Sequence, residues 1–339
     1  CIFPTVDMLL DYKEEIWMSI QNYHNKKKAF SIFLASILYF PISLCAQTEE
    51  IPRLANGKPD MQGTWDFRTI TPFQRPEALG DKEYLTAEEF AAFEEEERER
   101  RDRDNFTDTT TTGDYNQFWY DRGEELLEDR RTSLVTYPSN GRIPALTEAA
   151  QQRSAERREL ARLAEGIEVR PLAERCIMGF NSGPPMIPSA YNNNVQIVQT
   201  GDYFLLHNEM IHNIRPVRLE NSQHRDVPRK WEGDSIGYWE GDTMIVETKN
   251  FLRDTAFGNS SSSMQLTEKF WMIDADTLRY EFTIEDPSTW TEPWTVMFPM
   301  TRADLPIYEY ACHEGNYSMA GILGGWRMLE SLGQSGQQD

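Results

Sequence analysis

The sequence predicts a mainly β fold with a helical insert, in which an antiparallel meander closes as a barrel or packs as a sandwich. From about residue 190 onwards, apolar and polar side chains alternate, most strictly over 277–285. Turn signals such as Glu240-Gly241-Asp242 recur at short intervals. Short strands joined by tight turns are typical of all-β domains, and closing the sheet removes the exposed edges of a long meander.

Composition excludes several classes of partner. The 339 residues include 55 acidic and 34 basic side chains, for a formal charge of −21. Binding to nucleic acid or to anionic lipid needs a basic surface, so neither is predicted. We identify no Walker or dinucleotide-binding glycine motif and therefore predict no cofactor. The predicted partner is a small molecule.

Residues 18–46 are predicted to be a secretory signal peptide. The lysines at 26–28 precede an apolar run over 29–44, and Cys45-Ala46 follows. Positive charge, an apolar run and a small-residue cleavage site occur in this order in signal peptides. The apolar run is too short for a comfortable transmembrane span. We expect a mature chain without an integral membrane span.

Two further expectations concern the same region. Residues 1–17 begin with Cys and lie upstream of Met18, which favours an over-extended reading frame. The mature protein is expected to be secreted or periplasmic, and a lipoprotein anchored through Cys45 is the alternative.

The mature chain divides by pattern into four segments. We predict a first strand and its lead-in over 47–79, a charged helical insert over 80–170, the antiparallel barrel over 171–330 and a disordered tail over 331–339. In the insert, Thr86 and Glu89 match a capping box at the start of one helix.

A second helix is predicted over 148–165, with Thr147 as its N-cap and Gly166 just past its end. Its alternating Glu and Arg residues indicate a solvated surface laced with ion pairs.

Gly63-Thr64-Trp65 predicts a strand near the mature N-terminus. A Gly-x-Trp motif on a first strand before a meander resembles the lipocalin-type barrel. The resemblance implies that Trp65 plugs one end of the barrel beside a closing arginine, for which Arg327 is a candidate.

A broader resemblance is carried by five segments of the mature chain. They are 174–176 (Glu-Arg-Cys), 181–185 (Asn-Ser-Gly-Pro-Pro), 191–194 (Tyr-Asn-Asn-Asn), 239–243 (Trp-Glu-Gly-Asp-Thr) and 308–317 (Tyr-Glu-Tyr-Ala-Cys-His-Glu-Gly-Asn-Tyr). They resemble a family of secreted bacterial proteins, and the resemblance implies neither an activity nor catalytic residues.

The cysteines predict a disulfide. Signal removal would take Cys1 and Cys45, leaving Cys176 and Cys312 as an even pair in an oxidising compartment. A free thiol or metal pair is the alternative.

Two histidines flank Asn208-Glu209-Met210-Ile211 on one apparent strand. Strand alternation would put His207 and Glu209 on one face and His212 on the other. The spacing matches no zinc signature, so no metal is predicted.

The candidate catalytic residues are His313, His212, Glu209 and Glu314. The His313 imidazole could act as general acid or base, with Glu314 or Glu209 orienting it or transferring a second proton. A bridge between the two cysteines would bring Glu174 and Arg175 beside His313, although that cluster could equally be structural.

The candidate ligand-binding residues are polar side chains expected near the barrel mouth. The asparagine run at 192–194 could hold a polar ligand or form Asx-turns. The predicted set is Arg175, Tyr191, Asn192, Asn194, Asn208, Arg215 and Tyr308.

Two functions remain open at this point. The abundant aromatic residues could line a cavity or fill a solid core. We predict a secreted β-barrel protein that binds a small apolar or aromatic molecule. The alternative is a cofactor-independent hydrolase, lyase or isomerase that uses histidine and glutamate at the barrel mouth.

Overall fold

A computed structural model describes residues 50–105, 116–163, 166–219, 223–225, 228–252 and 257–333. The predicted signal peptide, residues 1–17 and all but the first three residues of the predicted tail lie outside these ranges. The strands are β1 (Gly63–Asp66), β2 (Val135–Tyr137), β3 (Asn194–Gln199), β4 (Tyr203–Asn208), β5 (Ile214–Arg218), β6 (Asp234–Glu240), β7 (Thr243–Lys249), β8 (Gln265–Met272), β9 (Thr277–Glu285) and β10 (Trp294–Ala303). The helices are α1 (Ala87–Arg101), α2 (Glu148–Leu163) and α3 (Tyr317–Ser331).

Nine of these strands form a closed barrel, which confirms the predicted fold class. The order is β1-β3-β4-β5-β6-β7-β8-β9-β10, and β1 pairs back onto β10. The short strand β2 is additional and pairs with the first part of β10, whereas β1 pairs with its last part. Since β10 is ten residues long, its outer edge has room for both.

One neighbouring pair departs from the predicted antiparallel meander. Strands β5 and β6 are parallel and are joined at a single residue pair, Arg218 with Ile236. Consecutive parallel strands need a long connection that returns the chain to the same end, and residues 219–233 provide one.

Side chains fill the middle of the barrel. The inward face of β9 is the one predicted from its alternation, and Leu278, Tyr280, Phe282 and Ile284 are fully buried. Phe270 and Phe298 lie on either side of Tyr280, with ring centroids 4.9 and 5.2 Å from it. The aromatic residues therefore form a solid core rather than the wall of a central cavity.

The helical insert contains both predicted helices. At the start of α1, the Thr86 N–H donates to Glu89 Oε2 at 2.9 Å and the Glu89 N–H donates to Thr86 Oγ1 at 3.3 Å, which completes the capping box. At the start of α2, Thr147 Oγ1 accepts the N–H of Ala150 at 3.2 Å. Strand β2 lies between the helices and was not predicted.

An arginine closes the barrel beside the first strand. The Arg302 guanidinium lies 4.4 Å from the centre of the Trp65 ring and donates to the Gln62 carbonyl at 2.9 Å. Gly63 has a φ of +121°, and a Cβ there would come within 2.7 Å of Arg302 Nη1, so this position favours glycine. The candidate Arg327 was the wrong choice, because it lies exposed on α3.

Candidate functional site

The predicted disulfide is present and joins two loop segments. Cys176 and Cys312 have Cα atoms 5.7 Å apart and link residues 171–193 to residues 304–316. The Asn316 amide supports the link by donating to the Glu174 carbonyl at 2.7 Å. The chain after the barrel is thereby held against the loop that precedes β3.

His212 lies in a tight turn and not on a strand, which corrects the prediction. Strand β4 ends at Asn208, and Met210–His212 form a single 3₁₀ turn. Ile211 and His212 have φ values of 58° and 51°, and such a conformation is costly for a β-branched residue. The exposed His212 accepts the N–H of Tyr310 at its Nε2 atom, 2.7 Å away. The turn is thus tied to the chain after the barrel.

Glu209 precedes this turn and is held by the asparagine run. Its carboxylate accepts the side-chain amides of Asn192 at 2.8 Å and Asn194 at 2.6 Å, and its N–H donates to the Asn194 carbonyl at 3.0 Å. Glu209 is 5 % exposed. The amides predicted to hold a ligand therefore bind a carboxylate of the protein itself.

The remaining predicted catalytic residues lie on the surface. His313 and Glu314 are exposed, as is Tyr308. Glu174 pairs with Arg170 at 2.7 Å, and the Arg175 guanidinium lies 5.7 Å from the centre of the Trp231 ring. Glu174 and Arg175 thus have Arg170 and Trp231 as partners.

Tyr191 and Arg215 point to different surroundings. The Tyr191 ring packs edge-on against Phe180, with centroids 5.5 Å apart. Arg215 points into the barrel and is 2 % exposed, so the two residues do not share the predicted rim.

A buried polar chain crosses the barrel interior from Arg215. Its Nη1 and Nη2 atoms donate to the two carboxylate oxygens of Glu268, at 2.5 and 2.8 Å. The Tyr280 hydroxyl donates to Glu268 Oε1 at 2.6 Å and accepts the N–H of Met186 at 3.1 Å. Burial and the neighbouring Glu268 raise the pKa of Tyr280 well above its usual range, so this phenol stays protonated.

Sequence reasoning missed Glu268, although a signal for it exists. The inward positions of β8 are Leu266, Glu268, Phe270 and Met272. A glutamate on an otherwise apolar strand face indicates a buried charge that needs a partner.

Asn208 is a second polar group in the interior. It is 1 % exposed, and within the described ranges neither atom of its side-chain amide has a hydrogen-bond partner. Its N–H donates to the Asn213 carbonyl at 2.8 Å, which positions it beside the turn that carries His212.

An apolar recess of about 310 Å³ lies where residues 51–60, here called the strap, cross one end of the barrel. Arg53 fastens the strap by donating to both carboxylate oxygens of Asp242, at 3.0 and 2.6 Å. The apolar residues around this strap recess are Leu54, Phe204, Leu219, Tyr238, Trp239 and Met244.

The floor and the rim of the strap recess differ in character. Phe204 and Met244 are fully buried residues of the barrel core and form the floor. At the rim, the Lys58 ammonium lies 5.5 Å from the centre of the Trp239 ring and donates to the Gly241 carbonyl at 3.1 Å. The recess therefore combines an apolar floor with one cation.

The chain matches no protein-family model, and no curated protein matches its sequence. Within the described ranges, no group of three or more histidine, cysteine, aspartate or glutamate side chains is arranged to hold a metal ion. None of the helices in those ranges has the length and apolar character needed to cross a bilayer.

Proposed function

We propose that this β-barrel protein binds a small apolar or aromatic molecule in the strap recess. The main support is the recess itself, which has a volume of about 310 Å³, an apolar and aromatic lining, and a floor formed by residues of the barrel core. Small-molecule sites are concave, mostly apolar and carry a few polar groups, and their volumes begin at about 300 Å³. A molecule of one to three aromatic rings matches this size.

The polar groups at the recess restrict the choice of ligand. Gln199 is engaged with the strap and the residue after it, because its Nε2 donates to the Pro59 carbonyl at 3.1 Å and its Oε1 accepts the Met61 N–H at 2.6 Å. Lys58 supplies a positive charge over an aromatic face. An aromatic ligand with a carboxylate or hydroxyl group would satisfy both the ring and the ammonium.

We also propose that the protein acts outside the cytoplasm. The Cys176–Cys312 bridge supports this, because disulfides persist mainly in oxidising compartments. The charged and apolar order of residues 18–46 points the same way.

The acid–base enzyme has less support as an alternative. Glu209 is occupied by two asparagine amides, and His212 Nε2 already accepts a backbone N–H. Binding at the strap recess is therefore the function we put forward.

Binding can be tested with N-phenyl-1-naphthylamine, a neutral aromatic probe that fluoresces in apolar surroundings. We expect saturable binding to the full chain and loss of it in Gly201→Trp. Gly201 lines the recess, its backbone is not left-handed, and open space surrounds the position of its missing Cβ, so a tryptophan can block the recess without a backbone clash.

Gly315→Trp is the matched control, because Gly315 has equally open surroundings and does not line the recess. Trp239→Ala should weaken binding at least about tenfold, since a tryptophan at a binding site commonly contributes more than about 1.4 kcal/mol. Equal probe binding by Gly201→Trp and Gly315→Trp would show that the recess is not the site.

A further inference from the structure

A small cavity opens in the side of the barrel where β5 and β6 meet. This seam cavity has a volume of about 140 Å³ and lies at the one parallel pair of the barrel. It is lined by Arg215 at its buried end, by Arg218 and Asp234, and by Arg225, Lys230 and Glu232 from the connection between the strands. It is separate from the strap recess.

Three cationic groups at the seam cavity have unused hydrogen-bonding capacity. The Nε–H of Arg215 is buried and donates to no acceptor in the part of the chain that the structure describes. The exposed Arg225 and Lys230 side chains form no salt bridge with any residue in those ranges. An acidic protein of charge −21 offers many carboxylates, so cations that line one cavity without a salt-bridge partner among the described residues indicate a site for an external anion.

The two carboxyl groups at the cavity differ in their state. Asp234 is engaged, because it accepts Arg218 Nη2 at 2.8 Å and the Arg225 N–H at 2.9 Å. Burial raises the pKa of Glu232 above its usual range, despite the opposing effect of Arg215. A neutral Glu232 can donate a hydrogen bond to an anion, whereas an ionised one repels it.

We infer that the seam cavity binds a small oxyanion, a carboxylate or a phosphate group, and that binding is coupled to protonation of Glu232. The anion accepts from Arg215 Nε–H at the buried end and contacts Arg225 and Lys230 at the opening. A volume of about 140 Å³ admits the anionic group with little else, so a larger ligand would extend into solvent.

The charged groups around Glu232 come from four elements. Arg215 on β5 faces it, and Glu268 on β8 and Tyr280 on β9 stand behind that guanidinium. Lys230 lies on the same connection as Glu232.

His224, also on that connection, places its Nδ1 3.4 Å from Asp234. A variant of Glu232 therefore has to separate the contribution of its carboxyl group from that of the neighbouring side chains.

Acetate and inorganic phosphate are suitable probes, with chloride at equal ionic strength as the reference. Binding to the full-length protein is followed through the backbone amide resonances of Gly233, Asp234 and Ser235. We expect saturable shifts with acetate, and we expect acetate to bind more tightly as the pH is lowered from 8 towards 5.5, because a lower pH favours the protonated form of Glu232 while acetate stays mainly ionised. At pH 5.5 both acetate and phosphate are monoanions, so their affinities can be compared directly. Tighter binding of phosphate would indicate a phosphoryl ligand, and tighter binding of acetate would indicate a carboxylate.

Three variants make the test decisive. Arg225→Ala with Lys230→Ala should weaken acetate binding about tenfold, as expected for two charge-assisted contacts near the surface, whereas Arg327→Ala, an exposed arginine on α3, should not. Glutamine is neutral at every pH. Glu232→Gln should therefore bind acetate at pH 8 about as tightly as the unchanged protein does at pH 5.5, and most of the pH dependence of acetate binding should be lost. Non-saturable shifts, or equal binding by the double variant and Arg327→Ala, would overturn the site, and unchanged pH dependence in Glu232→Gln would overturn the coupling.

Discussion

The Arg215–Glu268 pair places two opposite charges inside an otherwise apolar barrel. The Arg215 and Glu268 side chains are 2 % and 0 % exposed, so neither charge is solvated by bulk water. Their bidentate contact and the Tyr280 hydroxyl offset the desolvation of both groups. Removing one member of such a pair leaves a buried charge without its counter-ion.

Glu268→Gln should therefore lower the free energy of unfolding by about 3–5 kcal/mol. Arg215→Met combined with Glu268→Leu should cost much less, because it removes both charges and keeps apolar volume. Urea unfolding of the two variants measures the difference. A double variant as unstable as the single one would contradict this account.

Of this buried pair, Arg215 was identified from the sequence as a site residue and Glu268 was missed. Arg215 was named as a polar site residue, but its position opposite Glu268 depends on how β5 and β8 are placed around the barrel. That arrangement joins residues 53 positions apart, and no local pattern reports it.

At the scale of elements, the first strand, β1, is held in place by contacts with the last strand, β10. Its Trp65 lies under Arg302 of β10, and Arg302 also donates to the Ala275 carbonyl at 3.0 Å in the turn between β8 and β9. One side chain thus joins β1, β10 and that turn.

Arg302→Ala should lower the free energy of unfolding by about 2 kcal/mol, because it removes a cation–π contact and several hydrogen bonds. Arg327→Ala, which removes an exposed arginine, should leave the unfolding midpoint unchanged. Thermal unfolding followed by tryptophan fluorescence measures both. Equal midpoints for the two variants would show that Arg302 does not tie the barrel end.

Elements with strong local signals were predicted, and those that depend on distant contacts were not. The bounds of β9 and the capping box of α1 follow from short stretches of sequence. Helix α3 contains Gly321, Gly324 and Gly325, and each glycine weakens a helix by about 1 kcal/mol relative to alanine, so its sequence does not indicate a helix. The sequence predicts a strand through Ile211 and His212, whereas both residues have a left-handed backbone, which no glycine at these positions indicates.

At the scale of the whole molecule, the disulfide joins chain segments separated by 136 residues. Closing so long a loop restricts the unfolded chain and, on the chain-entropy model, stabilises the native state by about 5 kcal/mol. The bridge encloses most of the barrel strands between its two cysteines.

Cys176→Ala combined with Cys312→Ala should lower the free energy of unfolding by several kcal/mol and make residues 304–316 more sensitive to protease. Urea unfolding and limited proteolysis under non-reducing conditions measure the two effects. Alkylation of both thiols in the native, unreduced protein would show that the bridge does not form.

The same holds for the candidate sites: residues that are close in sequence were predicted to lie together, and a site formed by distant segments was not. The sequence suggested polar residues near a barrel mouth, and several of them do surround the turn after β4. The strap recess could not be predicted, because it forms where residues 51–60 cross strands that lie about 150–190 positions later in the chain.

Closure of the barrel by β1 has a consequence for synthesis. Thr64, Trp65 and Asp66 pair with residues 301–303, so the ring of strands stays open until β10 has been synthesised. A nascent chain that already holds β3 to β9 would present two unpaired strand edges to its neighbours. Until β10 is complete, those two edges can pair with another chain, which makes intermolecular strand pairing a competitor of barrel closure.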